Sequence, residues 1–176
     1  MQIETERLLI RRTAKEDWPA VKEIWEDFGA SPYAQYDVPH NTDAADVRSR
    51  VARWASTADS TEHMFWSVCR GGVVIGYVDF HHIDGHRYET GYCFHSAHHG
   101  KGYAKESLSA LFCRLRSMGA ETITAGTALR NLPSVGLLRS LGFRQVGEEK
   151  VSFYKDSDGR DIVFDGGIFE LDLNGE

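Results

Sequence analysis

The sequence has little cysteine and no cysteine motif. Its 176 residues contain three cysteines, and these form no Cys-x-x-Cys pair. An odd number of scattered cysteines argues against a disulfide framework. Because each lies in an apolar or periodic stretch, we predict buried free thiols in a reducing compartment at Cys69, Cys93 and Cys113.

The sequence also lacks a long apolar run and a leader segment. No apolar stretch approaches the ~20 residues that a helix needs to cross a bilayer. The N-terminus does not have the pattern of a signal peptide, because a few apolar residues there are surrounded by charged ones, namely Glu4, Glu6, Arg7, Arg11 and Arg12. These absences predict a cytoplasmic protein with no membrane partner.

Positive charge is not in excess. The chain has 20 Lys and Arg against 26 Asp and Glu, a net charge of −6 at pH 7. Nucleic-acid-binding proteins normally carry a basic face, so we predict no nucleic-acid partner. The acidic balance favours either cationic partners or a solvated acidic surface. The length, a hydrophobic fraction of 41% and the lack of repeats predict one domain over residues 1–176.

The order of apolar patterns predicts a mixed α/β fold with an antiparallel hairpin core. Gly71-Gly72 between two strand-like runs is a strong hairpin signal. Asp17 is the preferred N-cap of the first helix, because Pro19 then falls in its first turn. The predicted elements are a strand at 3–12, a helix from Asp17 to Gly29, a helix from Thr42 with apolar positions Ala45, Val47, Val51 and Trp54, strands at 63–70, 73–82 and 87–95, a helix from Ala104 to Gly119, a strand at 121–126, a helix at 133–141 and strands at 143–154 and 161–171.

A glycine-rich bend joins the strand at 87–95 to the central helix. It contains His99, Gly100, Lys101 and Gly102. Glycines let the backbone turn tightly near a ligand, and the free N–H groups that begin a helix suit a phosphate. The spacing matches neither a Walker loop nor the dinucleotide fingerprint, in which a third glycine would replace Lys105. The bend therefore predicts a phosphate or pyrophosphate site, or else serves only to pack the helix on the sheet.

Five motifs in order resemble the GNAT acyl-CoA N-acyltransferases, with closest similarity to the ribosomal-protein N-terminal acetyltransferase branch. The motifs are Thr5-Glu6-Arg7-Leu8-Leu9, Gly91-Tyr92, His99 to Ala104, Asn131-x-x-Ser134 and Leu141-Gly142-Phe143. The similarity extends from about residue 5 to 171, nearly the whole chain. The resemblance implies the GNAT fold: a twisted, mostly antiparallel seven-strand sheet, splayed at its central strands and flanked by about four helices.

The resemblance also implies acetyl-CoA as co-substrate, with no metal, and direct transfer of the acetyl group to a primary amine. The strands at 87–95 and 121–126 would splay, and the Phe94 N–H would polarise the thioester carbonyl. His99 stands where the family has Gln or Arg. The implied coenzyme-binding residues are Phe94, His99, Gly100, Lys101, Gly102, Tyr103, Ala104, Asn131 and Ser134.

The catalytic residues implied by the resemblance are Glu89, Asn131 and Ser134. Gly126 and Leu138 stand where related enzymes often carry Glu and Tyr. Glu89 is the substitute base, since strand alternation places it on the same face as Gly91. The alternative is a structural carboxylate paired with Arg87 or a nearby lysine. Asn131 orients a water or the coenzyme, or caps a helix. Ser134 protonates the departing thiolate or only hydrogen-bonds the coenzyme or backbone.

Other readings remain open at the level of sequence. Six of the eight histidines lie between His81 and His99, so a metal-dependent hydrolase is one rival, and a non-catalytic acyl-CoA-binding or regulatory module is another. Cys93 as nucleophile has no partnered base in the sequence. The loop at 30–41, with Tyr33, Tyr36 and His40, binds the acceptor or packs over the core. Protein N-termini, antibiotic amines and polyamines all remain candidate acceptors, and a homodimer is left open.

Overall fold

The computed structural model describes residues 2–175, in which eight strands form one sheet with four α-helices around it. The sheet order is β1-β2-β3-β4-β5-β6-β8-β7, and only β5 and β6 pair in parallel. The elements are β1 (Gln2–Glu4), β2 (Leu9–Arg12), α1 (Trp18–Gly29), α2 (Ala44–Ser56), β3 (His63–Arg70), β4 (Val73–Asp84), β5 (Arg87–Phe94), α3 (Tyr103–Ser117), β6 (Thr122–Ala128), α4 (Leu132–Ser140), β7 (Arg144–Lys155) and β8 (Asp161–Asp172). The mixed α/β class and the GNAT-type sheet are confirmed.

The strand count is eight rather than the expected seven. The segment 3–12, predicted as one strand, is two antiparallel strands joined by a turn. At that turn the Thr5 amide donates to the Leu8 carbonyl at 2.9 Å, and the Leu8 amide donates to the Thr5 hydroxyl at 3.1 Å. A threonine hydroxyl that accepts a hydrogen bond from a backbone amide stabilises a turn in place of a continuous strand.

Local signals placed several element boundaries correctly. Both Gly71 and Gly72 have positive φ, +56° and +83°, as a tight hairpin turn requires. Helix α1 begins directly after Asp17 and ends at Gly29. The predicted start of α2 at Thr42 was wrong by two residues, because the helix begins at Ala44. Its N-cap is Asp43, whose carboxylate accepts hydrogen bonds from the amides of Ala45 and Asp46. Ala45 is exposed, not apolar core.

Two hydrophobic layers lie on opposite faces of the sheet. Tyr77 packs with α1 and α2, whereas its neighbour Val78 packs with α3 and α4, because successive strand residues point to opposite faces. The first layer contains Val21, Ile24, Trp25, Val47 and Val51. The second is larger and includes Phe80, Leu108, Leu111, Leu115, Ile123, Leu138 and Phe169. The two layers fix which side chains of β5 face which helix pair.

The cysteines differ in burial more than the sequence predicted. All three are free thiols, but only Cys69 is buried, and Cys93 is half-buried. Cys113 is exposed, so its predicted burial was wrong. It lies on α3 between the buried Phe112 and Leu115, on the helix face turned away from the sheet. None of the helices within residues 2–175 combines the length and apolarity that a membrane crossing requires.

Candidate active site

The centre of the sheet opens between β5 and β6. The two strands pair in parallel only from Arg87 to Glu89 on β5. Strand β5 continues to Phe94 and β6 continues to Ala128 without further pairing between them. Past Glu89 the edge of β5 therefore has no strand beside it, which is the splay that the family resemblance implies.

The amide of Phe94 faces this gap. The next amide, of His95, donates to the Ile75 carbonyl on β4 at 3.0 Å. Because successive amides of a strand point to opposite edges, the Phe94 N–H points away from β4 and towards β6. The Phe94 carbonyl, on the same edge, accepts a hydrogen bond from His99 Nε2 at 2.7 Å. His99, predicted to bind the coenzyme, thus uses one ring nitrogen to hold the end of β5.

The N-terminus of α3 has open amides. Its N-cap is Gly102, with φ +81°, and its first helical hydrogen bond runs from Glu106 N to Gly102 O at 3.0 Å. Side chains cap α2 and α4, but none of residues 2–175 caps α3. The amides of the first turn therefore stay available to an anion, at the positive end of the helix dipole. Gly100, with φ +70°, has open space where a Cβ would stand.

The two lysines of this region point to different places. Lys101 is a predicted coenzyme contact, but its ammonium donates a hydrogen bond to the Ala97 carbonyl at 2.8 Å. Lys105 lines the cavity beside the open amides. The sequence analysis used Lys105 only to exclude a dinucleotide fingerprint and missed it as a site residue. Its position in the first turn of the central helix was the available signal.

A cavity of about 970 Å³ connects these features. Nine of the ten predicted site residues line it, and Lys101 does not. The nine are Glu89, Phe94, His99, Gly100, Gly102, Tyr103, Ala104, Asn131 and Ser134. Tyr103 is nevertheless 5% exposed and packs its ring in the core, so its backbone is the part that the cavity meets. Residues that are 45 positions apart in the chain thus share one concave surface, as ligand sites do.

Asn131, Ser134 and Tyr92 form a small polar group on one wall. The Asn131 side chain accepts the Ser134 amide at 3.4 Å and caps α4, which is one of the two roles considered for it. Ser134 Oγ lies 2.8 Å from the Tyr92 hydroxyl. Burial raises the pKa of Tyr92 to about 12, so this phenol stays protonated. Tyr92 was missed from sequence, although alternation places it on the same face of β5 as Phe94.

Glu89 lies at the mouth of the gap, where β5 leaves β6. It is exposed and lines the cavity. Arg87, its proposed structural partner, is instead near Asp84 and Glu170, at 3.7 and 4.0 Å. Across the strand pair Glu89 lies opposite His81. A hydrogen bond to Asp79, at 3.1 Å, and the nearby carboxylates raise the pKa of His81 despite its partial burial.

The loop after α1 contributes both to the cavity and to packing. Tyr33, Tyr36 and Asp37 line the cavity. His40 does not, because its ring stacks on Trp25 with centroids 4.6 Å apart. Near the tip of the β7–β8 hairpin, the Tyr154 hydroxyl donates to the Ala34 carbonyl of the loop at 3.1 Å. One part of the loop thus lines the cavity, and another part packs over the core.

Cys93 lines the cavity as a thiol rather than a thiolate. Burial, with nearby carboxylates adding to it, raises its pKa to about 12, which disfavours the nucleophilic form. Within residues 2–175, no group of three or more His, Cys, Asp or Glu side chains is arranged to hold a metal ion. His81 borders the cavity, as do His98 and His99.

Comparison with known proteins agrees with this geometry. The family model described as Acetyltransferase (GNAT) domain matches residues 7–144. YnaD of Bacillus subtilis, an uncharacterized N-acetyltransferase, is 30% identical over 149 residues, which cover 84% of this chain and 85% of YnaD. A GNAT-family acetyltransferase from Bacillus anthracis is 27% identical, with a TM-score of 0.78 and coverage of 99% of this chain and 100% of that one.

A more distant structure shares the fold. It is the RimL ribosomal L7/L12 alpha-N-protein acetyltransferase in complex with coenzyme A, 16% identical, with a TM-score of 0.83 and complete coverage of both chains. The family match covers more than half of the sequence, and the splayed strands are a feature that the resemblance implied. The chain belongs to the GNAT acetyltransferase family.

Proposed function

We propose that this protein transfers the acetyl group of acetyl-CoA to a primary amine, by direct attack of the amine on the thioester. One observation supports this most: the open amides of α3 and the Phe94 amide border the same cavity. The first set suits a diphosphate, and the second suits a carbonyl oxygen that gains negative charge. The distant neighbour that binds coenzyme A supports the same donor.

The residues present fit acetyl-CoA. The amides of Tyr103, Ala104 and Lys105, with the Lys105 ammonium nearby, would hold the diphosphate. The free edge of β5 from Thr90 to Phe94 would hydrogen-bond the amides of the pantetheine arm. The co-substrate supplies an activated acetyl group. The protein places that group and provides a donor for the developing oxyanion.

In this proposal Glu89 and Ser134 carry the proton transfers, and Asn131 positions Ser134. An ammonium has no lone pair, so the acceptor must lose a proton before it attacks; Glu89 takes that proton directly or through a water. The nitrogen loses its second proton to solvent in the cavity once it has attacked. Ser134 donates a proton to the departing thiolate and recovers one from that solvent, while the Tyr92 hydroxyl, 2.8 Å away, keeps its own proton and orients Ser134 by a hydrogen bond. Asn131 fixes Ser134 by accepting its amide and presents its remaining side-chain atoms to the cavity.

The cavity walls near β4 and β7–β8 suit an amine acceptor. Carboxylates line this part at Asp37, Asp79, Glu89 and Glu149, and Lys105 is the one Lys or Arg among the described lining residues. Aromatic rings from the loop and the hairpin flank it, namely Tyr33, Tyr36, Phe153 and Phe164. Such walls favour a cationic group and an apolar body together.

We also infer that residues 1–176 act as one acetyltransferase domain in the cytoplasm. The larger hydrophobic layer includes side chains of β8 and of every strand from β2 to β6, which supports one folding unit. The three free cysteines support a reducing compartment.

Calorimetry and an acceptor screen test the function. We expect coenzyme A and acetyl-CoA to bind in an isothermal titration, and free thiol to appear when acetyl-CoA is mixed with an accepted amine. The screen would contain N-terminal peptides, polyamines and aminoglycosides. Coenzyme binding without turnover of any amine would favour the non-catalytic module. Absence of binding at high coenzyme concentration would refute the proposal.

Replacing Glu89 with Gln should lower kcat about tenfold at neutral pH, less than the ~100-fold or more of a typical general base, because the side chain is exposed and water can substitute. The loss should shrink as pH rises past the pKa of the acceptor, ~8 for an α-amine and ~10.4 for a lysine, since the amine then arrives without the proton that Glu89 removes. Initial rates of thiol release across pH measure it.

Glu23→Gln is the matched control, because Glu23 is an exposed carboxylate on α1 outside the cavity. Its rates should equal those of the wild type at every pH. If Glu89→Gln matches the wild type as well, Glu89 has no part in the proton transfer.

A further inference from the structure

A carboxylate lies in the first turn of α3, close to the amides proposed to hold the diphosphate. Glu106 follows the N-cap Gly102 by four residues, and its side chain is 17% exposed. A negative charge at this end of a helix is favourable for the helix itself. It would, however, repel a bound diphosphate unless a cation compensated it.

Arg7 provides that cation from the other end of the sequence. Its Nε donates to Glu106 Oε2 at 2.7 Å, its Nη2 lies 2.6 Å from the same oxygen, and its amide donates to Oε1 at 3.1 Å. The Thr5 hydroxyl donates to Oε1 at 2.6 Å. Burial would raise the pKa of Glu106, but these hydrogen bonds lower it on balance, so the carboxylate is ionised and paired.

Arg7 also contacts the glycine-rich bend directly. Its Nη1 donates to the Lys101 carbonyl at 2.9 Å, and its guanidinium lies 4.7 Å from the centroid of the Tyr103 ring. A Cβ built on Gly102 would stand 3.3 Å from Arg7 Nη2. One side chain thus meets three consecutive residues of the bend and the carboxylate behind it. The bidentate fork of arginine is what allows both contacts at once.

We propose that Arg7 is a positioning residue for coenzyme binding: it neutralises Glu106 and fixes the bend at 101–103, so that the α3 amides accept the diphosphate. This inference rests on the proposed function. It assigns a physical role to the Thr5-Glu6-Arg7 motif, which lies outside the cavity lining. Arg7 acts through Glu106 and the backbone of the bend, without touching the substrate.

Replacing Arg7 with Met keeps an unbranched apolar stem in place of the arginine methylenes and leaves Glu106 without its cation. The dissociation constant for coenzyme A should rise about tenfold or more at low salt. Part of this loss should disappear at high salt, which screens the repulsion between Glu106 and the diphosphate. Binding of pantetheine, which lacks the diphosphate, should be unchanged. Isothermal titration of both ligands at two salt concentrations measures these effects.

Charge rescue separates this role from simple fold stabilisation. Glu106→Gln alone should bind coenzyme A at least as tightly as the wild type at low salt, and Arg7→Met with Glu106→Gln should recover most of the affinity lost in Arg7→Met. If Arg7→Met does not fold, Glu106→Gln and Arg7→Lys still give the answer. Arg7→Lys retains the charge and should lose less affinity.

Three results would overturn the inference: weaker coenzyme A binding in Glu106→Gln, no rescue in the double variant, or equal losses for pantetheine and coenzyme A. Each would make Arg7 a structural brace. Failure of the wild type to bind coenzyme A in the same titration would instead refute the proposed function, so the two failures are distinguishable.

Discussion

Replacing Gly102 with Asp is expected to abolish coenzyme A binding, a loss of more than about 100-fold, while the protein still folds. Asp is a preferred N-cap, and its carboxylate would accept the first-turn amides of α3 that the diphosphate needs. It would also place a fixed negative charge beside the bound anion. The backbone at Gly102 has φ +81°, a conformation that costs a non-glycine residue about 1–2 kcal/mol and that Asp and Asn tolerate best.

Gly102→Asn is the matched control, because Asn has the same shape and backbone strain but carries no charge. It should bind coenzyme A more weakly than the wild type and clearly better than Gly102→Asp. Titration calorimetry gives both affinities, and thermal unfolding checks that the two variants are equally folded. Wild-type affinity in Gly102→Asp would place the diphosphate elsewhere, and equal losses in the two variants would assign the effect to the strain and capping that they share, not to charge.

The parts of the fold that sequence predicted correctly depend on local backbone chemistry. Gly71-Gly72 determines a hairpin because both residues adopt positive φ, whatever surrounds them. The single strand expected at 3–12 failed for a reason outside that segment. Thr5 lies in a turn, and its hydroxyl also donates to Glu106, which is 101 positions away in the sequence. The pattern of apolar residues within a short segment carries no information about a contact with a residue so distant in the sequence.

The site shows the same division between backbone and side chains. The bend at His99 to Ala104 was found because glycine spacing reports the backbone directly. The directions of the side chains were not found: Lys101 turns to Ala97, and His99 bonds the Phe94 carbonyl. The contact of Tyr92 with Ser134 joins β5 to α4 across 42 positions. It follows from how α4 lies on the splayed sheet, which no local pattern specifies.

The splay itself follows from how β6 is paired. On one side β6 pairs with β8 along its full length, from Thr122 to Ala128, while on the other it pairs with β5 at only three positions. The backbone groups of β6 are therefore satisfied chiefly by β8, and β5 is free to diverge after Glu89. Because a strand edge without a neighbour needs hydrogen-bond partners, the open edge of β5 suits the amides of a ligand.

A buried ion pair at the start of α1 should make a large contribution to stability. Asp17 is 6% exposed and accepts two hydrogen bonds from Arg11, both at 2.7 Å. The Ala14 amide and the Ser67 hydroxyl also donate to it, at 2.9 and 2.8 Å. The carboxylate thus joins β2, β3 and the first turn of α1. Removing one member of such a pair leaves the other charge buried without compensation.

Asp17→Asn should lower the free energy of unfolding at pH 7 by about 3 kcal/mol, the lower end for a broken buried pair, since the Arg11 side chain is 30% exposed. Burial alone would raise the pKa of Asp17, but the bonds from Arg11, Ala14 and Ser67 lower it on balance. A lowered folded-state pKa stabilises the protein above the unfolded pKa, ~3.9, and this contribution is lost as pH falls through the folded value. The difference between wild type and variant should therefore be constant from neutral pH to about pH 5 and shrink below pH 4.

Urea unfolding followed by circular dichroism from pH 7 to pH 3 measures this difference. Glu16→Gln is the matched control, because Glu16 is the neighbouring carboxylate and its side chain is 71% exposed. The free energy of unfolding of this variant should stay within about 0.5 kcal/mol of the wild type. A loss below about 1 kcal/mol for Asp17→Asn at pH 7 would mean that solvent at Arg11 compensates the missing charge. A loss that persists unchanged at pH 3 would attribute the effect to altered packing, since a charge effect must shrink once pH falls below the unfolded pKa of the carboxylate.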